Sequence, residues 1–553
     1  LQRNSDKCIL CGLCVRVCDE VMGVTALGLV GRGFETLVKP EFGLPLEDTS
    51  CIACGMCVAL CPTGALVEQM PIAKNLPMEM ESRKAVCTYC GIGCGQVIDV
   101  KGDLLARSLP LEGEILCRKG RFGFQTDSEQ RISKPLVRWD GELIETSWTE
   151  ALQEISGRVL GIRARYGDEA LAISVSPSYS LEEAGSAAAF ARSALRTTKM
   201  GSFTPNADHG LERIFGSEAP AVSLDELESA DLIFLVGSFE ECQVAAVKAI
   251  QAARKGIKLV VLSMKPTLAD PLADVRLSPA NNTGFLKEVL AAVIQKDLFC
   301  EDDIRQMVSG FEELKSALQG LVPGEDAKKL AELYGHSKRA IILVDGHDVT
   351  PEAVQFLGNL VLLTGKAAKP GSGITVITPG ANQTGLSRLG IDLEAQDLRE
   401  ALRSDDLQGI FIFGEDPVGA GLLTSQELQS ARLVVVVSPY KTLTTDAAHV
   451  VIPSSTTLES GGTFIASDGH INSFDPVVGS PAGVSVRKAI AKMAAAFGVD
   501  KLDVTKAEDI KPFPAFGKAH FAVPEDGEIF RPVPVIDPAL RNFYTKIEKD
   551  GHK

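Results

Sequence analysis

The sequence predicts an α/β protein whose amino-terminal part is organised by its cysteines and whose remainder is an open, doubly wound, mostly parallel sheet flanked by helices. Twelve of the fourteen cysteines lie between Cys8 and Cys117, in three groups with regular spacing. From about Ser133 the cysteines nearly stop, and short apolar runs begin to alternate with amphipathic stretches. Such alternation is the pattern of strand and helix in βαβ units.

The first group is Cys8, Cys11, Cys14 and Cys18 in CILCGLCVRVC, and the second is Cys51, Cys54, Cys57 and Cys61 in CIACGMCVALCP. Both follow the spacing of bacterial two-cluster ferredoxins, and the repeat is itself a sign of two similar halves. Three thiolates on a tight loop can reach three corners of one cubane, while the fourth cysteine points away to the other cluster. One [4Fe-4S] cluster is therefore assigned to Cys8, Cys11, Cys14 and Cys61, and another to Cys51, Cys54, Cys57 and Cys18. Gly12 and Gly55 let the backbone approach the cluster sulfurs. Zinc ribbons pair cysteines differently, and disulfides suit neither this spacing nor a chain of 553 residues with ample core.

The third group is Cys87, Cys90 and Cys94 in CTYCGIGC, followed by Cys117 in ILCRKGRFG. Between them VIDVKGDLLARSLP reads as two short strands that bring Cys117 back to the loop. This group resembles the amino-terminal cluster domain of the molybdopterin oxidoreductase superfamily, which includes formate dehydrogenases and the large iron-sulfur subunit of complex I (NADH:quinone oxidoreductase). The resemblance implies a third [4Fe-4S] cluster on Cys87, Cys90, Cys94 and Cys117. It also places Lys119 where Mo and W enzymes of the superfamily carry a cofactor-binding lysine between cluster and pterin. A cluster-neutralising cation is the equal alternative for Lys119.

In the body the expected strands are LAISVSPS, DLIFLVGS, KLVVLS, RAIILVD, GIFIFG, ARLVVVVS and HVVIPS, with helices such as EEAGSAAAFARSALR and QVAAVKAIQAARKG between them. The stretches LGNLVLLTGKAAKPGSG, FIFGEDPVGA and DAAHVVIPSSTTLESGGTF resemble the superfamily's pterin-binding body. The division expected is a two-cluster unit over residues 1–75, a [4Fe-4S] unit over 80–140, a pterin-type body over 141–499 and an extended, proline-rich arm over 500–553.

Departures from the superfamily decide the functional expectation. Formate dehydrogenases carry a metal-ligating cysteine or selenocysteine followed by histidine where this chain reads MGSFTPNADHGLERIFG. FEECQV stands where an Asn-Pro and a histidine are usual, LSMKPT where Asp-Pro-Arg is usual, and SPANNTGFL where a Gly-Thr-Asp turn is usual. Phosphates need N–H nests and positive charge, whereas FEEC brings two carboxylates. The expectation is an electron-transfer subunit, closest in character to the complex I large subunit, with three [4Fe-4S] clusters and no Mo or W pterin. The resemblance implies flavin- and NAD(P)H-oxidising partner subunits and an iron-sulfur, flavin or quinone-linked acceptor. The alternative is a catalytic Mo or W enzyme such as a formate dehydrogenase, with Ser202, Asp208 or His209 at the metal. A chain starting at Leu1 also leaves room for a [2Fe-2S]-bearing segment ahead of it, as in such subunits.

Cys242 and Cys300 read most simply as buried small hydrophobes. A net charge of −16 disfavours nucleic acid, and no apolar run is long enough to span a bilayer. Cysteines reserved for metal suit a reducing, cytoplasmic setting, or the cytoplasmic face of a membrane-associated complex.

Overall fold

The computed structural model describes residues 2–68, 79–124, 130–204, 210–215, 221–301, 304, 308–367, 369–504 and 519–523. At the amino terminus β1 (Gln2–Arg3), β2 (Leu27–Val30), β3 (Leu37–Pro40) and β4 (Leu66–Val67) form two antiparallel pairs, β1 with β4 and β2 with β3. They tie the ends of the two cysteine loops together. A three-stranded antiparallel sheet follows, β5 (Glu81–Val86), β6 (Gly95–Lys101) and β7 (Leu104–Pro110). The last two are the strands expected to return Cys117, and they turn at Gly102, whose φ of +60° favours glycine.

The body begins with the hairpin β8 (Leu136–Trp139) and β9 (Glu142–Glu145), then β10 (Leu171–Val175), β11 (Met200–Gly201), β12 (Leu232–Val236), β13 (Lys258–Leu262), β14 (Val275–Leu277), β15 (Val308–Ser309), β16 (Ala340–Asp345) and β17 (Gly373–Ile377). It continues through β18 (Gly409–Phe413), β19 (Leu433–Ser438), β20 (Val450–Pro453), β21 (Gly462–Ile465) and β22 (Ile471–Phe474), and ends with β23 (Ala519–His520). All seven expected body strands form. They divide between two sheets rather than joining one. A seven-stranded sheet runs β11-β10-β18-β19-β20-β8-β9, parallel except at the β20–β8–β9 edge, and an all-parallel five-stranded sheet runs β14-β13-β12-β16-β17.

The central strands are buried along their whole length, which is why they read as continuous apolar runs rather than alternating ones. Side-chain caps start the covering helices. Ser147 and Ser180 form capping boxes with Glu150 and Glu183, and Thr350 caps a helix opened by Pro351.

Part of the expected carboxy-terminal arm is packed on the body. β23 pairs in parallel with β15, Phe521 is fully buried, and the Asn359 side chain both donates to and accepts from the Ala522 backbone at 2.8 and 3.0 Å. No described helix is long and apolar enough to cross a membrane.

Candidate functional site

The first two cysteine loops share one backbone. Leu10 and Ala53 take φ of +56° and +54°, Gly12 and Gly55 take +74° and +69°, and a short helix follows each glycine, Leu13–Arg16 and Met56–Leu60. Leucine and alanine in the left-handed region are strained, and two matching instances mark a conformation imposed by the loop's task.

The thiols meet across the repeat as the spacing requires. Cys8, Cys11, Cys14 and Cys61 line one cavity of about 540 Å³, open in part to solvent. Cys18 joins Cys51, Cys54 and Cys57, where burial first, and then the neighbouring thiols, push Cys54 and Cys57 up to about 12. Cys14 is among the thiols that raise Cys57, so the two sets adjoin.

In the third set the Cys87 N–H donates to the Cys94 carbonyl at 2.9 Å, and the Gly91 N–H donates to the Thr378 carbonyl at 2.7 Å. The second of these bonds fastens the loop to the end of β17. β6 and β7 deliver Cys117 to the start of helix Arg118–Phe122. All four cysteines are buried, and burial followed by mutual repulsion raises Cys87, Cys90 and Cys94, with Cys90 at about 12. Buried thiols held this close ionise only if a cation shares the space. The third set is thus a donor arrangement suited to a thiolate-bound cation.

A single apolar cluster contains cysteines from all three sets, together with Met56, Leu116 and Val244, the last from body helix Gln243–Arg254. Arg121 is embedded beside it, 1% exposed, and paired with Glu68. Burial lowers its pKa despite Glu68 and the nearby Cys57 and Cys54. Its Nε and Nη1 have no hydrogen-bond partner among the described residues. A guanidinium with spare donors against sulfur ligands offers charge and N–H groups to them. This cation lies two residues beyond Lys119, and the motif reading missed it because no spacing rule marks it.

Lys119 is buried and paired with Glu241, which also lies 3.8 Å from Arg118. Its ammonium lies 5.8 Å from the Tyr89 ring centroid. Lys119, Tyr89, Gln130, Lys441, Thr456 and Thr457 line a cavity of about 1120 Å³, part of it open solvent, beside the third cysteine set. Val86, Phe124 and Leu458 add apolar surface, and such a mixed lining suits a flat heteroaromatic ring. Glu240 and Glu241 follow the end of β12, and Asp345 and Asp348 lie at and just beyond the end of β16, with Glu241 paired to Lys119.

Of the proposed metal-binding alternatives, Asp208 and His209 lie outside the described residues. The Ser202 hydroxyl donates to Glu415 at 2.7 Å and accepts from the Thr204 N–H at 3.0 Å. Glu415 also receives Ser174 and the Phe203 N–H, so Ser202 is part of a satisfied buried network. Cys242 is buried as expected, while Cys300 is only half-buried.

A 4Fe-4S dicluster domain model matches residues 7–65, and a molybdopterin oxidoreductase model matches residues 131–485. The chain is 28% identical over 488 residues to the F420-dependent formate dehydrogenase 1 subunit alpha of Methanococcus maripaludis, covering 76% of this chain and 70% of that one. It is 26% identical over 505 residues to the F420-dependent formate dehydrogenase subunit alpha of Methanocaldococcus jannaschii, covering 78% and 73%. The acetylene hydratase of Pelobacter acetylenicus shares the fold with a TM-score of 0.65 at 17% identity, over 76% of this chain and 69% of that one. With its body matched over more than half of its length, the chain belongs to the molybdopterin oxidoreductase family.

Proposed function

We propose that this chain is the iron-sulfur electron-transfer subunit of a multisubunit NAD(P)H-linked oxidoreductase, working in the cytoplasm, with a pterin-type body that has lost its active site. The observation that carries the reading is the apolar cluster that contains cysteines of all three sets, from a first set in which Cys11 is exposed to a third set that is wholly buried. In it Cys8, Cys11, Cys14 and Cys61 ligate the first [4Fe-4S] cluster, Cys18, Cys51, Cys54 and Cys57 the second, and Cys87, Cys90, Cys94 and Cys117 the third. Each cluster, when bound, holds and passes one electron at a time. The chain's own residues exclude water around the path, and Arg121 and Lys119 set positive charge beside the second and third sets.

The same reading divides the chain into the two-cluster unit 1–75, the third-cluster unit 80–140, the body 141–499 and the arm 500–553. Its partners are flavin- and NAD(P)H-oxidising subunits on one side and an iron-sulfur, flavin or quinone-linked acceptor on the other. The relatives named above are themselves subunits, which supports a place in a complex.

The second reading, a Mo or W enzyme of formate dehydrogenase type, is favoured by the cavity beside Lys119. Against it stand the Lys119–Glu241 pair and the carboxylates at the strand ends. Metal analysis of anaerobically purified protein separates the two. About twelve iron atoms per chain with neither Mo nor W supports the relay, since three four-iron clusters account for them. Stoichiometric Mo or W overturns it.

A further inference from the structure

We infer that Cys242, His347 and Asp345 form a binding site for one divalent transition-metal ion, zinc in the first instance, separate from the three cysteine sets. The inference does not depend on the relay reading. The Cys242 thiol, a ring nitrogen of His347 and a carboxylate oxygen of Asp345 lie within 4.8 Å of one another, and all three residues are buried. They come from two adjacent parallel strands of the five-stranded sheet. Cys242 follows the loop after β12 and opens helix Gln243–Arg254, while Asp345 ends β16 and His347 lies two residues beyond.

The carboxylate is fixed in place. It accepts from the Phe239 N–H at 2.7 Å and the His347 N–H at 3.0 Å, and faces His347 Nδ1 at 2.8 Å. A carboxylate against an imidazole orients the ring as in histidine-bound metal centres.

Two further buried polar atoms stand in the same cluster. His347 Nε2 is buried without a hydrogen-bond partner among the described residues, and so is Asp348 Oδ1, one residue away. Hydrogen bonding among the four side chains alone leaves both atoms unsatisfied. Charge leads the same way. One buried carboxylate, a half-buried one and a thiol share the space with one imidazole, while the neighbouring cations have other carboxylates to serve, Lys119 and Arg118 at Glu241 and Lys265 at Glu240. A dication offsets that excess. A mixed sulfur, nitrogen and oxygen donor set selects zinc or ferrous iron over calcium or magnesium.

The test uses the full chain with its iron-sulfur centres intact, handled anaerobically and given Zn²⁺ alone. The expected result is about one zinc per chain that survives desalting, with an X-ray absorption shell of a single sulfur at about 2.3 Å and lighter atoms at about 2.0 Å. Cys242→Ser and His347→Gln should each weaken zinc binding by about tenfold or more while leaving the iron content unchanged, which also reports that the variants fold. Failure of the native chain to take up stoichiometric zinc overturns the site. So does a four-sulfur shell, which would place the zinc in one of the cysteine sets, and so does zinc binding unaffected by both substitutions.

Discussion

The loops around Cys11 and Cys54 have nearly the same backbone, yet Cys11 is exposed whereas the second loop is packed under helix Arg118–Phe122. The thiols respond to those surroundings. Burial lifts Cys54 and Cys57 to about 12, whereas at Cys61, in the first set, burial is outweighed by N–H groups of Leu66 and Thr63 and the pKa falls below its usual value. The repeated motif fixes a loop backbone, while the packing around each thiol set decides whether it meets solvent or the interior. An exposed set suits exchange with a partner, and a buried one suits passage within the chain.

The largest test of this contrast removes one ligand from each copy. Cys57→Ser should lose about four iron atoms per chain and lower Tm by about 4 °C or more beyond the effect of Cys11→Ser, because it leaves the shared core without its cation. Equal losses of stability in the two variants would break the comparison. Next in size, Arg121→Met strands Glu68, itself nearly buried, and should cost about 3 kcal/mol in denaturant unfolding. Adding Glu68→Gln should restore most of the loss. A neutral Arg121→Met would mean that the second set does not lean on this pair.

A finer comparison uses the two loop glycines. A Cβ at Gly12 meets nothing within 4 Å, so Gly12→Ala should cost about 1 kcal/mol of left-handed strain alone. At Gly55 the added carbon would lie 2.8 Å from Arg121 Cγ and 3.0 Å from the Phe122 ring, and the cost should roughly double. Chemical unfolding of the iron-loaded variants reads the difference.

The smallest effect checks that acid can be read in the body apart from the cysteine loops. His449 Nδ1 accepts the Val434 N–H at 3.0 Å, and burial, followed by Arg158 and Arg138, pushes its pKa down from 6.5 to about 4. The unfolded chain then binds this proton more readily than the folded one. Its contribution to stability is complete above pH 6.5 and declines as pH falls towards 4. His449→Gln should flatten that part of the Tm profile, and an unchanged profile would remove His449 as its source.

Much of the architecture was legible because buried parallel strands are written as unbroken apolar runs, of which Leu232–Val236 and Leu433–Ser438 are clear cases. β17 escaped because GITVI is short and opens with glycine, and β11 and β14 because two- and three-residue strands carry no period. The split into two sheets was illegible in principle, since it rests on pairings such as Leu171 with Gly409 that no local pattern encodes. The cysteine sets were readable from spacing. The surroundings of Cys242 were not, because Asp345 and His347 lie about a hundred residues away, and their only mark was a histidine set among acids after an apolar strand. Ser202 looked available for the same reason, its partner Glu415 being remote in the chain.

The docking of residues 519–523 has a practical corollary for handling the protein. A protease that cuts before Ala519 would release Phe521 from its seat near Phe311 and strip both amide partners from Asn359. The newly bared aromatic seat would be sticky, so trimmed material should clump on storage even with its iron intact. Mass spectrometry of aged preparations, rather than their colour, is the way to recognise such clipping.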